Sequence, residues 1–165
     1  MSAAADLYLS LGSNISPETN IPAALTALGQ AFGGVLAHSS AWQSAAVGSQ
    51  GPDFLNAAVL VRTARPPRQV KMGILRPLET QMGRVRTEDK NAARTIDIDI
   101  LVYGDLIIDE TLWNQAHLAV PLAEIYPDLR NPESGQVLND IAAKLLKTIR
   151  LVHRADILAA GQSPE

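Results

Sequence analysis

The sequence predicts a mixed α/β domain of the α+β kind, with strands and helices in the order β-α-β-β-α-β. Apolar and polar side chains alternate along residues 6–11 and 94–102, which is the period of a half-buried strand. Apolar side chains recur at every third or fourth position along residues 21–32 and 67–82, which is the period of a helix packed on a core. Segments with the strand period alternate along the chain with segments that have the helix period, and this order favours helices packed on a sheet.

Length and composition limit the classes of protein to which the chain can belong. Its 165 residues are enough for one domain, and 47% hydrophobic with 19% charged residues is typical of a folded globular chain. The net charge of -3 disfavours binding to nucleic acid or to an anionic membrane. The absence of cysteine excludes disulfides, thiolate metal sites and a cysteine nucleophile.

Neither a targeting segment nor a membrane span is expected. Residues 1–6 lack the basic start and the apolar run of a signal peptide, and no apolar run reaches about 18 residues. We therefore expect a cytoplasmic protein. One domain over residues 1–165 is the simplest interpretation, with a core at about residues 6–130 and a helix and tail at residues 137–165.

The first strand is expected to lead into a helix through a tight turn. Gly12-Ser13-Asn14 follows the strand, and glycine permits the backbone to turn there while Asn14 can hydrogen-bond within the turn. Asn20 is the predicted N-cap of helix 21–32. Gly33-Gly34 ends that helix.

Two strands are expected next, at residues 35–44 and 54–61, joined by the Gly- and Pro-containing loop 45–53. Phe54 and Asn56 share one face of the later strand because successive strand residues point to opposite sides. An aromatic ring can stack on a flat heterocycle, and an amide can both donate and accept hydrogen bonds at its edge. Core packing of Phe54 is the alternative.

A proline interrupts the helix predicted next. Pro77 removes a backbone donor inside helix 67–82 and is expected to kink the helix or break it near Arg76. After the long strand, Gly104-Asp105 predicts a hairpin that returns through residues 106–109.

The end of the chain is expected to be one long helix with a loose tail. Residues 137–158 repeat apolar side chains with a helical period. Residues 159–165 contain a glycine and a proline and are expected to be frayed.

The long strand carries two carboxylates on one face. Asp97 and Asp99 lie two positions apart, which is roughly 6.6 Å of rise, so their side chains point the same way. This spacing suits a pair of divalent ions about 3.5–4 Å apart. A solvated face of an antiparallel sheet is the alternative. Three arginines near the strand favour a site for a phosphate group and a metal: Arg84, Arg86 and Arg94.

Three separated stretches carry motifs whose order and spacing match one enzyme family. The first is Leu9-Ser10-Leu11-Gly12-Ser13-Asn14, and the second is Gly51-Pro52-Asp53-Phe54-Leu55-Asn56-Ala57-Ala58-Val59. The third runs from Glu79 through Gly83-Arg84-Val85-Arg86 to Arg94-Thr95-Ile96-Asp97-Ile98-Asp99-Ile100-Leu101. Over about residues 7–129 the chain resembles 6-hydroxymethyl-7,8-dihydropterin pyrophosphokinase, a family of folate-biosynthesis enzymes.

The resemblance implies a fold, a reaction and the reactants. The implied fold is a ferredoxin-like βαββαβ sandwich, extended by a C-terminal hairpin and helix. The implied reaction transfers diphosphate from ATP to 6-hydroxymethyl-7,8-dihydropterin and leaves AMP and the pterin diphosphate. ATP is then a co-substrate and two Mg²⁺ ions are cofactors. We expect a monomer that binds these small molecules and neither nucleic acid nor membrane.

Carried over residue by residue, the resemblance also implies the site. The residues implied to act in catalysis are Arg84, Arg86 and Asp97, and those implied to hold metal are Asp97 and Asp99. The residues implied to bind the pterin are Gly12, Asn14, Ser44, Val47, Phe54 and Asn56. The residues implied to bind ATP are Glu79, Arg86, Arg94 and His117. The polar loop 87–93 is implied to close over the nucleotide, and a solvated helix-end carboxylate is the alternative for Glu79.

Residues 109–120 depart from the family pattern and are several residues shorter. The family commonly has a Pro-His pair here, followed by an arginine and an aromatic residue. Aligned on Pro121-Leu122, this chain has Gln115 in place of the arginine and His117 in place of the aromatic residue. His117 could stack as an imidazole or approach the nucleotide.

This departure leaves two alternatives to an active pyrophosphokinase. One is a non-catalytic or specialised pterin-binding homologue, which would take up pterin without an ATP analogue and show no Mg²⁺-dependent affinity for nucleotide. The other is a metal-binding regulatory domain that uses Asp97 and Asp99 and takes up metal without nucleotide.

Overall fold

The computed structural model describes residues 3–46, 51–88 and 93–162, and one antiparallel sheet organises them. The strands are Ala5–Ser13 (β1), Ala37–His38 (β2), Ala41–Ser44 (β3), Phe54–Thr63 (β4), Asp97–Tyr103 (β5), Leu106–Ile107 (β6), Val152–Arg154 (β7) and Gly161–Gln162 (β8). Their order is β6-β5-β1-β4-β2-β8, with β3 paired to β4 and β7. Helices connect β1 to β2 and β4 to β5, which gives the ferredoxin-like arrangement and confirms the predicted fold.

Helices cover both faces of the sheet. The helical segments are Pro17–Phe32 (α1), Pro67–Val70 (α2), a π-helical turn at Lys71–Leu75, Arg76–Gln81 (α3), a 3₁₀ turn at Glu110–Trp113, Ala116–Ile125 (α4) and Leu138–Thr148 (α5). Among the described residues, no helix has the length and apolar character needed to cross a membrane.

The alternation of β1 divides the core between the two faces. Leu7, Leu9 and Leu11 are buried with apolar side chains of α1 and of the helical residues 67–81. Tyr8 lies on the opposite face and is buried with side chains of α4 and α5. Successive residues of β1, the central strand, point to opposite helical layers. Residues of the neighbouring strands that pair with them point to the same layer.

The helix over residues 67–81 accommodates Pro77 without a break. The N–H of Arg76 donates to the carbonyl of Lys71, five residues earlier, which is the hydrogen bond of a π-helix. Pro77 has no N–H to donate, so the regular α-helical bond at this position is lost. The disturbance predicted near Arg76 therefore takes the form of a π turn inside a continuous helix.

Helix α1 begins earlier than the capping pattern predicts. Its first residue is Pro17, and Ser16 precedes it with a positive φ of 43°. Asn20, the predicted N-cap, lies inside the first turn, where its Nδ2 donates to the carbonyl of Ile15 over 2.6 Å. Proline in the first turn is favourable because its missing N–H has no helical partner there. The predicted end is confirmed, since Gly33 has a φ of 76° and its N–H donates to the carbonyl of Gly29.

The C-terminal helix is shorter than its apolar period predicts. Helix α5 ends at Thr148, and Ile149 has an extended backbone. Residues 152–154 then pair with β3 as β7, and residues 161–162 pair with β2 as β8. The prediction of a helix to residue 158 and of a frayed tail at 161–162 is therefore wrong. These strands form because they pair with the exposed edge that β2 and β3 would otherwise present to solvent.

Candidate active site

One row of residues crosses the central strands at the end of β1. Gly12 is paired with Asp97 of β5 on one side and with Asn56 of β4 on the other. Paired residues of an antiparallel sheet point to the same face, so Asp97 and Asn56 flank Gly12 across roughly 10 Å. Because Gly12 has no side chain, the sheet is open between a carboxylate and an amide.

The carboxylates of the long strand lie as the sequence predicts. Asp97 and Asp99 are half-buried, whereas Ile96, Ile98 and Ile100 between and beside them are buried in the core. The two carboxylates therefore share the face of β5 that is turned away from α1. The interpretation of this strand as the edge of a site is consistent with this placement.

Two guanidinium groups converge on Asp97. Arg84 donates from Nη1 to Oδ1 of Asp97 over 2.8 Å, and Arg94 donates from Nη1 to Oδ2 over 2.7 Å. The Arg84 side chain is only 10% exposed and that of Arg94 is 30% exposed. Each oxygen of Asp97 thus has its own cation, and a phosphate or a metal must compete with these ion pairs.

Glu79 is a buried carboxylate that holds the arginines in place. It is 2% exposed, which excludes the alternative of a solvated helix-end carboxylate. Its Oε2 accepts from Nη1 of Arg84 over 2.9 Å and from the Ile98 N–H over 2.8 Å, and its Oε1 accepts from Nη2 of Arg86 over 2.6 Å. Three donors, two of them charged, offset the cost of burying this carboxylate. Glu79 therefore fixes Arg84 and Arg86 against the start of β5.

Asn14 connects two loops of the site. Its Oδ1 accepts from the Arg94 N–H over 2.7 Å, and its own N–H donates to the Arg94 carbonyl over 3.0 Å. Its Nδ2 lies 3.4 Å from the carbonyl of Pro52, just before β4. The side chain is 4% exposed. Asn14 thus positions the segment that carries Arg94 against the segment that leads to Phe54.

The amide of Asn56 is oriented by its neighbours. Nδ2 donates to the Trp42 carbonyl over 2.9 Å and to Oγ of Ser44 over 2.8 Å. Oδ1 is left as an acceptor on the Gly12 side, where a Cβ atom on Gly12 would lie 3.8 Å from Oδ1 and 3.8 Å from Cδ1 of Phe54. The ring of Phe54 is half-buried beside this acceptor. Val47, also expected here, lies outside the described residues.

Asp99 is held in an environment that disfavours its charge. Burial, together with the charges of Asp97, Glu79 and Asp109, raises the pKa of Asp99 to about 6, while the charge of Lys71 opposes the rise. A carboxyl with this pKa is ionised at neutral pH. A nearby cation stabilises its charge more than it would stabilise the charge of an exposed carboxylate. The position is thus suited to binding a cation.

His117 lies near the acidic strand at the start of α4. Burial lowers the pKa of His117, against the opposing charges of Asp109 and Asp97, and so favours the neutral imidazole. Gln115 directly precedes α4 and is exposed. The structure therefore brings His117 toward the carboxylates, whereas Gln115 carries no charge to replace the arginine expected there.

A cavity of about 740 Å³ adjoins the carboxylates at the outer edge of β5. Its lining includes Asp99, Ile108 and Asp109 on one side, with Lys71 and Arg76 on the helical side. The sequence interpretation did not assign a role to Lys71 or Arg76. Lys71 begins the π turn and Arg76 directly follows it, and the sequence did not predict this turn.

The chain is similar in sequence to one family along most of its length. The sequence model of the family described as 7,8-dihydro-6-hydroxymethylpterin-pyrophosphokinase matches residues 8–127. Proteins named 2-amino-4-hydroxy-6-hydroxymethyldihydropteridine pyrophosphokinase are similar to it. The one from Methylorubrum extorquens is 36% identical over 149 residues, which is 84% of this chain and 92% of the relative. The one from Synechocystis is 33% identical over 138 residues, which is 78% of this chain and 70% of the relative.

Solved structures share the fold. The "HPPK-DHPS" S436F/A437G/A613T triple mutant of Plasmodium falciparum superposes with a TM-score of 0.70 at 11% identity, over 88% of this chain and 44% of that chain. The wild-type "HPPK-DHPS" superposes with a TM-score of 0.67 at 12% identity. This chain spans less than half of those chains, and at such identities the likeness shows the fold alone. From the match over residues 8–127 and the similar relatives, the chain belongs to the 7,8-dihydro-6-hydroxymethylpterin-pyrophosphokinase family.

Proposed function

We propose that this chain transfers the β,γ-diphosphate of ATP to the hydroxymethyl oxygen of 6-hydroxymethyl-7,8-dihydropterin and releases AMP. Membership of the family supports this reaction. The observation that carries it is the row of Asp97, Gly12 and Asn56 across the sheet. A carboxylate bound by two guanidinium groups lies on one side of Gly12 and an amide lies on the other, with no side chain at Gly12 between them. One end of this row suits phosphate chemistry and the other suits a flat heterocycle.

The pterin is proposed to lie over Gly12. Asn56 would accept from an N–H at the edge of the ring through Oδ1, because Ser44 and Trp42 already occupy its Nδ2. Phe54 offers an aromatic face next to this acceptor, and stacking on such a face is favourable for a flat ring. The hydroxymethyl group would then point toward Asp97.

The triphosphate is proposed to bind on the arginine side. Glu79 holds Arg84 and Arg86 in place, so phosphate oxygens need to replace only Asp97 as the partner of Arg84 and Arg94. Transfer of a phosphoryl group depends mainly on positioning and on spreading negative charge. Glu79 would act on ATP through Arg84 and Arg86, and His117 would contact the nucleotide or the pterin directly.

Asp97 and Asp99 fit the requirements of a divalent ion that arrives with ATP. Among the described residues, no three carboxylate, histidine or cysteine side chains are close enough to hold a metal ion by themselves. Mg²⁺ commonly takes one or two carboxylates and completes its coordination with substrate phosphates and water. Asp97 and Asp99 supply these two carboxylates, so we assign two Mg²⁺ ions to them. When bound, Mg²⁺ would offset phosphate charge and lower the pKa of the attacking hydroxyl.

The transfer forms one bond, breaks another and moves one proton. The hydroxymethyl oxygen forms a bond to the β-phosphorus as the bond between that phosphorus and the α,β-bridging oxygen breaks. AMP leaves with the bridging oxygen. Asp97 is the nearest candidate to accept the hydroxyl proton, because it lies at the phosphate end of the row and loses its two guanidinium partners to the phosphates.

A coupled assay of AMP release, with and without Mg²⁺, tests this proposal. The chain is expected to release AMP only when ATP, the hydroxymethyl pterin and Mg²⁺ are all present. No AMP under these conditions would exclude catalysis by this chain.

A pterin-binding homologue without catalysis is the second candidate, and Gln115 at the position expected for an arginine favours it. Isothermal calorimetry separates the two candidates. A non-catalytic binder takes up pterin without an ATP analogue and gains no nucleotide affinity from Mg²⁺, whereas the enzyme binds an ATP analogue more tightly when Mg²⁺ is added. Uptake of metal without nucleotide would indicate the metal-binding regulatory domain.

A further inference from the structure

The row of paired residues that crosses the site continues into the C-terminal strand. Asn56 of β4 is paired with Trp42 of β3, and Trp42 is paired with His153 of β7. The rings of Trp42 and His153 pack with 4.8 Å between their centroids. The carbonyl of Trp42 accepts from Nδ2 of Asn56 over 2.9 Å. The position of β3 therefore helps to determine where the amide of Asn56 points.

Strand β3 has only four residues and would be an edge strand without β7. It pairs with β4 on one side and with β7 on the other. A short edge strand is held by few hydrogen bonds, so a second neighbouring strand restricts its movement. At its end, Ser44 is paired with Phe54, the first residue of β4. Strand β7 thus supports the strand that ends beside Phe54.

A side-chain hydrogen bond joins the ends of β3 and β4. Nε2 of Gln43 donates to Oδ2 of Asp53 over 2.8 Å. Gln43 directly precedes Ser44, and Asp53 directly precedes Phe54. Because successive strand residues point to opposite faces, the Gln43 side chain lies on the face opposite Ser44 and Asn56. This contact therefore holds the two strand ends together and leaves the face proposed for the pterin unobstructed.

Arg154 of β7 extends this contact to the C-terminal strand. Its Nη1 donates to Oε1 of Gln43 over 2.7 Å. Its Nε and Nη2 donate to the two oxygens of Asp156, each over 3.0 Å. This bidentate pair orients the guanidinium, which in turn orients the amide of Gln43 with its oxygen toward Arg154 and its nitrogen toward Asp53. One chain of hydrogen bonds thus runs from Asp156 through Arg154 and Gln43 to Asp53.

We propose that Arg154 is a positioning residue for the pterin and acts through Gln43 and Asp53. This inference rests on the proposed function, which places the pterin beside Phe54 and the acceptor of Asn56. Arg154 fixes the amide of Gln43, and Gln43 holds Asp53 and the backbone that leads into Phe54. Residues 152–154, which the sequence assigns to a helix, thereby contribute to substrate binding as a strand.

The end of the site proposed to bind phosphate should not depend on Arg154. Strands β4 and β1 separate β3 from β5 in the sheet. Arg84 and Arg94 are held there by Asp97. A change at Arg154 is therefore expected to affect the pterin and to leave the nucleotide bound as before.

Calorimetric titration with 6-hydroxymethyl-7,8-dihydropterin and, separately, with an ATP analogue tests this expectation. Arg154→Met is expected to weaken pterin binding roughly three- to tenfold, as the loss of about one hydrogen bond does, and to leave affinity for the ATP analogue unchanged. Arg62→Met is the matched control and should change neither affinity. Arg62 also pairs with a carboxylate, that of Asp6, but at the opposite end of β4.

Steady-state kinetics distinguishes positioning from a loss of folded protein. Arg154→Met should raise KM for the pterin and leave kcat and KM for ATP unchanged. A variant that is merely less stable has fewer folded molecules, so its apparent kcat falls while both KM values stay the same.

Asp53→Ala approaches the same contact without changing β7. Asp53 is exposed, and the variant lacks the acceptor for Gln43. It should weaken pterin binding by about the same factor as Arg154→Met. The double variant should bind little more weakly than either single variant, because both act through Gln43. Losses that multiply in the double variant would show that the two residues act independently and would overturn the proposal.

The outcomes separate this inference from the proposed function. If Arg154→Met bound the pterin as the wild type does, or lost affinity for the ATP analogue equally, the positioning role would be wrong, while AMP release by the wild type would leave the reaction standing. If Arg154→Met weakened pterin binding but the wild type released no AMP, the reaction would fail and the positioning role would stand.

Discussion

Arg84 donates from Nη1 to Oδ1 of Asp97 over 2.8 Å, although 13 positions separate the two residues in the sequence. The same nitrogen lies 2.9 Å from Oε2 of Glu79. A single guanidinium therefore joins the end of α3 to the start of β5. Because the Arg84 side chain is only 10% exposed, water screens these ion pairs weakly. The end of the site proposed to bind phosphate is thus assembled before any substrate binds.

Asp97→Asn is expected to lower kcat by roughly 10²–10³, because the variant cannot offer a charged oxygen to metal or accept the proton. Its effect on the free energy of unfolding should stay within about 1 kcal/mol, since Arg84 retains its ion pair with Glu79 and the Arg94 side chain is 30% exposed. AMP release and urea denaturation measure the two effects. Asp105→Asn, in the exposed hairpin turn, is the control. Full activity in Asp97→Asn would remove Asp97 from the mechanism.

Glu79→Gln is expected to destabilise the fold and weaken ATP binding together. The amide keeps one acceptor but leaves two guanidiniums without their shared carboxylate, which should cost about 1–3 kcal/mol of unfolding free energy. Urea denaturation gives this value, and titration with an ATP analogue gives the affinity. Glu133→Gln, on the surface, should change neither. A stable variant with lower affinity for ATP would instead indicate that Glu79 contacts the nucleotide.

Asn56→Ala is expected to weaken pterin binding at least tenfold and to leave affinity for an ATP analogue unchanged. The variant lacks the acceptor that faces Gly12, and a lost hydrogen bond to a bound ligand costs about 1–3 kcal/mol. Ser44→Ala should have a smaller effect in the same direction, because Ser44 only orients the amide. Calorimetry with the pterin measures both variants. Equal loss of affinity for the two substrates would indicate a general structural role.

Asp99→Asn is expected to make the protein more stable at pH 8 than the wild type. The folded-state pKa of Asp99 is raised from 3.8 to about 6, chiefly by burial, so the native state binds a proton more tightly than the unfolded chain. Its contribution to stability is fully present below about pH 4 and is lost as the pH rises through about 6. Near pH 8 the variant should melt about 2–4 °C higher, as about 1 kcal/mol predicts for a domain of this size.

Melting temperatures at pH 4.5 and pH 8 check this expectation for Asp99. The difference between the variant and the wild type should be larger at pH 8, and activity should fall in the variant. Asp128→Asn, at an exposed position, should show no such dependence on pH. A difference that is the same at both pH values would contradict the raised pKa of Asp99.

The spacing of apolar residues and the positions of turn residues predict those strands and helices that are long enough to show a regular pattern. The strands β1, β4 and β5 and the helix α1 were predicted from alternation or helical spacing, and Gly33 from its role in ending a helix. Strands β7 and β8 could not be predicted in this way, because two or three residues show no period. Pairing with β3 and β2, distant in the sequence, determines them.

The site was predictable where the residue types themselves specify the chemistry. Asp97 and Asp99 follow from strand parity, and their arginines from charge. The buried state of Glu79 was not predictable, since its three donors come from separate segments. The π turn at Lys71–Leu75 was not predictable either, because sequence reasoning indicates only that Pro77 disturbs the helix. The roles assigned to individual residues remain predictions.

The identity of the phosphorus-containing products tests the central claim most directly. ³¹P NMR of the protein incubated with ATP, 6-hydroxymethyl-7,8-dihydropterin and Mg²⁺ should show AMP together with a diphosphate ester of the pterin, and EDTA should prevent both. Formation of ADP with a monophosphate ester, or unchanged ATP, would contradict transfer of the β,γ-diphosphate at the site built from Asp97, Asp99 and their arginines.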